Sequence, residues 1–337
     1  MSARKTIALL VAALALTAGT AAAGSIKWIP VPLGTHRFGQ LQRPQAVVAH
    51  AAADEVGFKK KGGCGCLDGP SGPAQFDVAR NGSVWLLDIL NRRLLVWQPG
   101  RPAHPARTLA FPKLDVRDFV LGRDGSVYLY AVYAEPPAGD SGANLWKLKP
   151  SGQVLWRARA LTANALRLGP DGRVYSVGVK SALSWTPLTT VAGRPLSIAR
   201  QRRGTTAFQP LGVGLHVVAS EIGAHEAHFA LVDASRKVVR AWRVTSRTRL
   251  TFPHGFDAAL VHGDLVTAVD LSGAARTEHL VLRLSTGGMR ASRSLDAKAV
   301  WGGGEASGLR VGPDGRLYQL RTNPKAGIVV ARYSLGG

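Results

Sequence analysis

Residues 73–97, PAQFDVARNGSVWLLDILNRRLLVW, decide how the rest of the chain is read. An apolar alternation at Phe76 and Val78 runs into Asn81-Gly82, where glycine supplies the positive φ of a tight hairpin. Val84, Trp85, Leu86 and Leu87 lead back as a second strand. After a short connection at 88–91, Leu94, Leu95, Val96 and Trp97 form a third, which stops at Pro99-Gly100. The stretch is therefore an antiparallel meander with no helical periodicity.

The same turn recurs along the chain. Gly82 is followed by Ser-Val-Trp, Gly125 by Ser-Val-Tyr, Gly172 by Arg-Val-Tyr, Gly214 by Leu-His-Val, Gly263 by Asp-Leu-Val and Gly315 by Arg-Leu-Tyr, at intervals of 43, 47, 42, 49 and 52 residues. Such a period suits four short strands per sheet around an axis, so the expectation is an all-β, six-bladed β-propeller. First strands recur at Phe119 and Leu121, Leu166 and Leu168, and Leu309 and Val311. The fourth and fifth units hold this pattern only in part: Pro210 breaks one, and Phe256, Ala258 and Leu260 are shifted by one residue in the other. Third strands are placed at 145–148, 229–232, 280–284 and 328–333, and fourth strands at 154–161, 238–244 and 289–295. The last unit runs out of chain after its third strand. Residues 24–33, with Ile26 and Trp28 alternating, are expected to close the ring and remove an open edge. Residues 34–66 read as an irregular segment and 67–337 as the blades. Within the irregular segment, 44–58 reads equally as helix, loop or extra strand.

The run from Phe76 to Trp97, with Asn81-Gly82, Trp85, Asp88, Asn91 and Arg93, resembles an NHL-type repeat. That resemblance implies a six-bladed propeller of exported bacterial type. It does not fix a site, because the other five units keep the glycine turn and lose the Asp, Asn and Arg set. NHL-like propellers include binding scaffolds and some metal-dependent lyases and calcium-dependent lactonase relatives, so fold alone does not choose an activity.

The chain begins as an export signal. Arg4 and Lys5 precede an apolar stretch at 6–17 and a small-residue cleavage site at Ala21-Ala22-Ala23, giving residues 1–23 as signal and 24–337 as the mature protein. The expected location is periplasmic, cell-envelope or secreted, and no stretch is long and apolar enough to span a bilayer. The formal charge is +22, with 43 Lys and Arg against 21 Asp and Glu, and +20 remains after Arg4 and Lys5 leave. For an exported protein this favours an anionic envelope component or another protein over nucleic acid, and a monomer is expected. The segments 106–112, 154–161, 192–203, 238–249 and 289–295 hold 13 Arg and no Asp or Glu. Either these arginines protect sheet edges, or they form a positive belt for an anionic polymer.

Ligands of such rings sit at the axial mouth near the starts of the innermost strands. That places Arg117, Asp118, Asn164, His254, Asp257 and Glu305 as candidate binding residues. A bound calcium or other divalent cation is the alternative, with hydrolase or lyase chemistry; the first expectation is a binding scaffold with no cofactor. The grouping His225, Glu226 and His228 is not a helical HExxH pair, because strand alternation puts His225 and His228 on opposite faces. Asn144, His228 and His279 align at the starts of third strands, where a repeated structural contact explains them. Cys64 and Cys66 form the sole candidate disulfide. A Cys-Gly-Cys ring is small and strained, which leaves a labile bridge and two free thiols both open.

Overall fold

The computed structural model describes residues 26–58, 72–73, 75–133, 142, 144–161, 165–178, 184–212, 214–252, 258–300 and 308–336. Residues 1–23, expected to be a signal, and Cys64 and Cys66 lie outside them.

The chain is a six-bladed β-propeller, as its repeat predicts. Blade one is β3 (Gln75–Val78), β4 (Val84–Asp88), β5 (Arg93–Trp97) and β6 (Arg107–Ala110). Blade two is β7 (Leu114–Leu121), β8 (Val127–Tyr133), β9 (Asn144–Leu148) and β10 (Val154–Arg159). Blade three has β11 (Ala165–Leu168), β12 (Val174–Val177) and β13 (Trp185–Pro187). Blade four has β14 (Gln209–Gly212), β15 (Leu215–Gly223), β16 (Glu226–Val232) and β17 (Val238–Thr245). In blade five the innermost position is divided between β18 (Arg249–Thr251) and β19 (Ala259–Val261), both paired with β20 (Asp264–Ser272). β21 (Thr277–Ser285) and β22 (Gly288–Asp296) follow. Blade six is β23 (Leu309–Val311), β24 (Leu317–Asn323) and β25 (Gly327–Tyr333). In blade three the segment 192–203 is not a strand. It leads into helix α1 (Ile198–Gly204), whose buried Gln201 accepts from Leu161 N–H at 3.0 Å and donates to the Arg159 carbonyl at 3.1 Å, fastening blade three to blade two.

The turn chemistry explains the repeat. All six turn glycines have positive φ, from 69° at Gly214 to 84° at Gly172, a region costly for residues with a Cβ. In four blades the residue before the glycine locks the turn. Asn81, Asp124, Asp171 and Asp314 each accept the backbone N–H two residues on, at 3.0–3.1 Å. The aromatic residue of the second strand completes the lock in blades three and six, where Tyr175 and Tyr318 donate to Asp171 and Asp314 at 2.7 and 2.8 Å. Burial first, and then the neighbouring carboxylate, push the Tyr318 hydroxyl up to about 12. The irregular inner strand of blade four comes from a register shift between Pro210 and Gly212, since proline cannot donate to the ladder.

Apolar side chains pool between neighbouring blades. Trp85, Leu87 and Leu94 of blade one meet Phe119, Leu129 and Trp146 of blade two. Phe229 and Trp242 of blade four meet Leu265, Leu271 and Leu282 of blade five. Each such side chain contributes about 1.5–3 kcal/mol on burial, so every sheet depends on the next.

Ring closure corrects one expectation. The strand that completes blade six is β2 (Ala46–Ala51), antiparallel to β25, and not residues 24–33. β1 (Trp28–Pro32) instead lies parallel to β17 as a fifth, outermost strand of blade four. The segment 34–66 is thus not irregular throughout: its residues 46–51 are the closing strand, which also answers the ambiguity at 44–58. Between β1 and β2 the chain crosses blade five as a strap. The Arg247 N–H donates to the Gly34 carbonyl and the Gln42 N–H to the Ser294 carbonyl, each at 2.8 Å. Buried Glu278 of blade five accepts from the Gly39 N–H at 2.7 Å and pairs with His36 at 2.9 Å and Arg276 at 3.1 Å.

After β2, the loop at 52–58 is tied to blade one through Asp88 and Arg93. Buried Asp88 accepts from Asn91 at 2.8 Å, from Arg93 at 2.9 Å and from the Gly57 N–H at 3.0 Å, while Arg93 also donates to the Glu55 carbonyl. The set that makes the first repeat distinctive therefore holds the closing segment in place.

Two outcomes follow from this closure. Gly327 opens β25 at φ 91°, and a Cβ there would lie 2.0 Å from the Ala51 carbonyl oxygen. Gly327→Ala is expected to destabilise the protein by about 2–3 kcal/mol, read as a lowered denaturation midpoint. The Glu278 carboxyl is raised by burial, but hydrogen bonds from Ser294, the Gly39 N–H and His36 outweigh this and hold it below its ordinary value. A lowered carboxyl contributes its full stability above its unfolded pKa of about 4.3 and loses it as pH falls through the folded value. Pepsin should therefore cut residues 33–45 faster as pH falls below about 4. Glu278→Gln should show the faster cutting already at pH 5; an unchanged cutting rate there would refute the latch.

Candidate functional site

The six innermost strands enclose an axial cavity of 340 Å³, walled by β3, β7, β11, β14, β19 and β23 with the turn residues that follow them. Its walls are mostly apolar, including Phe119, Leu166, Leu211 and Leu309, with Asp77, Arg167, Gln209 and Arg310 as polar members. Asp77, Arg167 and Arg310 stand five residues before Gly82, Gly172 and Gly315, so the repeat delivers them to equivalent places on three inner strands.

These groups fasten one blade to the next. Asp77 accepts the Val78 N–H at 2.8 Å with one carboxylate oxygen and, with the other, the Leu121 N–H of blade two at 2.9 Å. Buried Asp118 does the same one blade on, accepting the Phe119 N–H at 2.7 Å and the Leu166 N–H of blade three at 2.6 Å. Gln209 makes a reciprocal pair with the backbone of Ala258, donating at 2.7 Å and accepting at 3.1 Å, which joins blade four to blade five. Arg310 reaches from blade six to Gln75 of blade one at 3.4 Å. The Arg167 guanidinium lies 3.8 Å from the Asp118 carboxylate. Burial pushes both Asp77 and Asp118 up from the ordinary carboxyl value, against the N–H bonds they accept and the fields of Arg167 and Arg310. A cation at this level would face two guanidinium groups, and the carboxylate oxygens are already engaged.

Of the six expected mouth residues, Asp118 is buried in this inter-blade clasp and is not among the residues that wall the cavity. Arg117 pairs with Asp115 of its own strand at 2.6 Å. Asn164, His254, Asp257 and Glu305 lie outside the described residues. Sequence reasoning missed Asp77, Arg167, Gln209 and Arg310. For Asp77, Arg167 and Arg310 the available signal was a charged residue between two apolar ones, repeated five places before the turn glycine. His228 and His279 each have a separate structural partner: His228 bonds Glu226 at 2.7 Å and packs on Trp28, and His279 bonds Asp270. Among the described residues no group of three His, Cys, Asp or Glu is placed to hold a metal ion.

Basic residues gather where the inner strands end. Arg80 and Arg123, each two residues before a turn glycine, are exposed at the rim of the cavity. From that rim a groove of 550 Å³ runs outward between blades one and two to Arg107 of β6. Arg107 lies over the Trp85 ring at 5.1 Å.

No protein-family model and no curated protein matches the sequence. Among solved structures, similarity extends to the PQQ-bound aldose sugar dehydrogenase of Streptomyces coelicolor, at 10% identity over 86% of this chain and 98% of that one, with a TM-score of 0.43. Virginiamycin B lyase from Staphylococcus aureus is similar at 11% identity over 78% and 84%, with a TM-score of 0.36. Hydrazine synthase of Kuenenia stuttgartiensis is similar at 12% identity over 78% and 86%, with a TM-score of 0.40. At these identities the likeness carries nothing about activity.

The axial clasp makes a quantitative prediction. Asp118→Ala leaves Arg167 without its buried carboxylate and Leu166 N–H without an acceptor, and should cost about 3–5 kcal/mol of stability. Adding Arg167→Met should recover part of that loss. Denaturant titrations of the two single variants and the double variant form the cycle that measures the coupling.

Proposed function

We propose that this propeller is an exported binding or scaffold module that takes up an anionic component of the cell envelope on its arginine-rich surface. The observation that carries the reading is where the acid-free segments fall. β6, β10, β22 and helix α1 lie on the outer side of their sheets, whereas 238–249 runs along β17, which β1 covers, and ends in the inner strand β18; 11 of the 13 arginines in the acid-free segments are exposed, Arg240 and Arg293 being half-buried. Several are held out on rigid supports. Arg157 stands over Trp146 at 5.5 Å and Arg107 over Trp85 at 5.1 Å, and a guanidinium stacked on a ring is held in a fixed orientation at the surface. Edge protection alone would need no such supports and is served equally by lysine.

The NHL-like resemblance of the first blade is consistent with a scaffold role, and no helix of the described residues is long and apolar enough to cross a membrane. The competing reading is a hydrolase or lyase using a divalent cation. The axial groups described above disfavour it at the level of Asp77 and Asp118, where the carboxylates clasp backbone N–H groups.

The mature protein should be retained on an immobilised polyanion at low ionic strength and released as salt approaches about 0.5 M, because exposed charges are screened within a few ångströms there. Arg200→Gln/Arg202→Gln/Arg203→Gln on α1 should elute earlier. Retention that ignores salt, or stoichiometric metal with a chelator-sensitive activity, would favour the competing reading.

A further inference from the structure

We infer that the radial groove between blades one and two is a dedicated binding site for one strand of a linear anionic glycan, laid from the axial mouth to the rim. This rests on the anionic-ligand reading above and gives it a location.

The groove is set by the fold. Its inner end is formed by the first turns of two adjacent blades, which place Arg80 and Arg123 side by side in the repeat at the cavity rim. Its floor runs under Ser83 and Gln98, and its outer end is Arg107 on the outermost strand of blade one. Three guanidinium groups therefore line one channel, and no Asp or Glu lines it. The carboxylate next in the chain, Asp124, is engaged by Lys147 at 2.9 Å and by Ser126. Against burial, those bonds hold Asp124 down at about 2, so it stays ionised and committed to that lysine.

Shape and polarity select the occupant. A groove that is long, open and concave fits a thin chain better than the flat array of a membrane surface. Protein interfaces are anchored by exposed aromatic or large aliphatic residues, and here Trp85, Val96 and Leu121 are buried while none of the exposed large hydrophobic residues lies in the groove. What remains for a ligand is the guanidinium forks, which match carboxylate or phosphate oxygens in pairs, with the amide of Gln98 for hydroxyl groups. A polymer with an oxyanion on each repeat and hydroxyls between them meets both.

The test is titration calorimetry of the mature protein with a defined polyuronate oligosaccharide at two or more salt concentrations. Arg80→Gln/Arg123→Gln removes two exposed side chains and should weaken binding at least tenfold, while the slope of log affinity against log salt falls by about two. Lys113→Gln/Lys298→Gln, an equal loss of charge away from the groove, should change affinity less than twofold. Thermal midpoints establish that each variant is folded, and if the groove pair fails to fold, Arg123→Gln alone serves, with half the loss of slope. Equal weakening by the groove and control pairs would overturn the site by reducing binding to net charge. Weakening by the α1 triple variant alone would overturn the site and leave the wider reading standing. Failure of the unaltered protein to bind polyuronate or polyphosphate at low salt would overturn both. Binding to anionic phospholipid vesicles or to an acidic protein, without binding to either polymer, would overturn the glycan assignment.

Discussion

A ring of sheets holds together only if its first and last members are joined, and here that join is carried by a segment from the other end of the chain. β2 adds to β25 as the fourth strand of the last blade. The chain then continues directly into the loop clasped by Asp88 in blade one. The unpaired N–H and C=O groups of β25 would otherwise form an exposed edge. The strap before β2 extends the join backward over blade five to β1 on blade four, so one stretch of fewer than forty residues bridges four consecutive sheets. Its anchors are backbone ladders at both ends and the buried Glu278 in the middle.

The same logic operates on the axis. In a sheet stack the inner strands of adjacent blades approach each other without forming a ladder, leaving backbone N–H groups that need acceptors. Asp77, Asp118 and Gln209 supply them from the neighbouring blade, and Arg167 and Arg310 balance the two carboxylates. The charges at the centre are therefore mutually satisfied. The surplus positive charge lies elsewhere, at the ends of the inner strands and along the outer segments, and this division between a neutralised centre and a positive exterior locates the proposed ligand on the surface.

Much of this was legible in the residues. The six glycine turns, and in four of them the preceding Asn or Asp and the aromatic that follows, depend on contacts within about five positions, so local sequence carries them. The count of sheets and most of the third and fourth strands followed from that period. The outer place of blade three was harder, because Arg-rich residues 192–203 have no strand alternation and the segment ends in a short helix held by Gln201. The inter-blade contact of Asp118 was not legible, since its partner, the Leu166 N–H, is 48 positions away. Asp77 and Arg310 were passed over because a charged residue between two apolar ones is, on a single strand, an ordinary solvent-facing position.

The sequence by itself determined the repeating hairpin, the all-β ring and the excess of arginine, because backbone conformation at glycine and side-chain alternation are properties of near neighbours. Only the tertiary structure decided which N-terminal strand closes the ring. Two candidate strands of similar length were available at 24–33 and 44–58, and the choice depends on the strap geometry and on contacts such as His36 with Glu278, 242 positions apart. It also decided which charges face each other on the axis and which are left exposed, since a carboxylate finds its N–H donor on the next blade only after the sheets have packed.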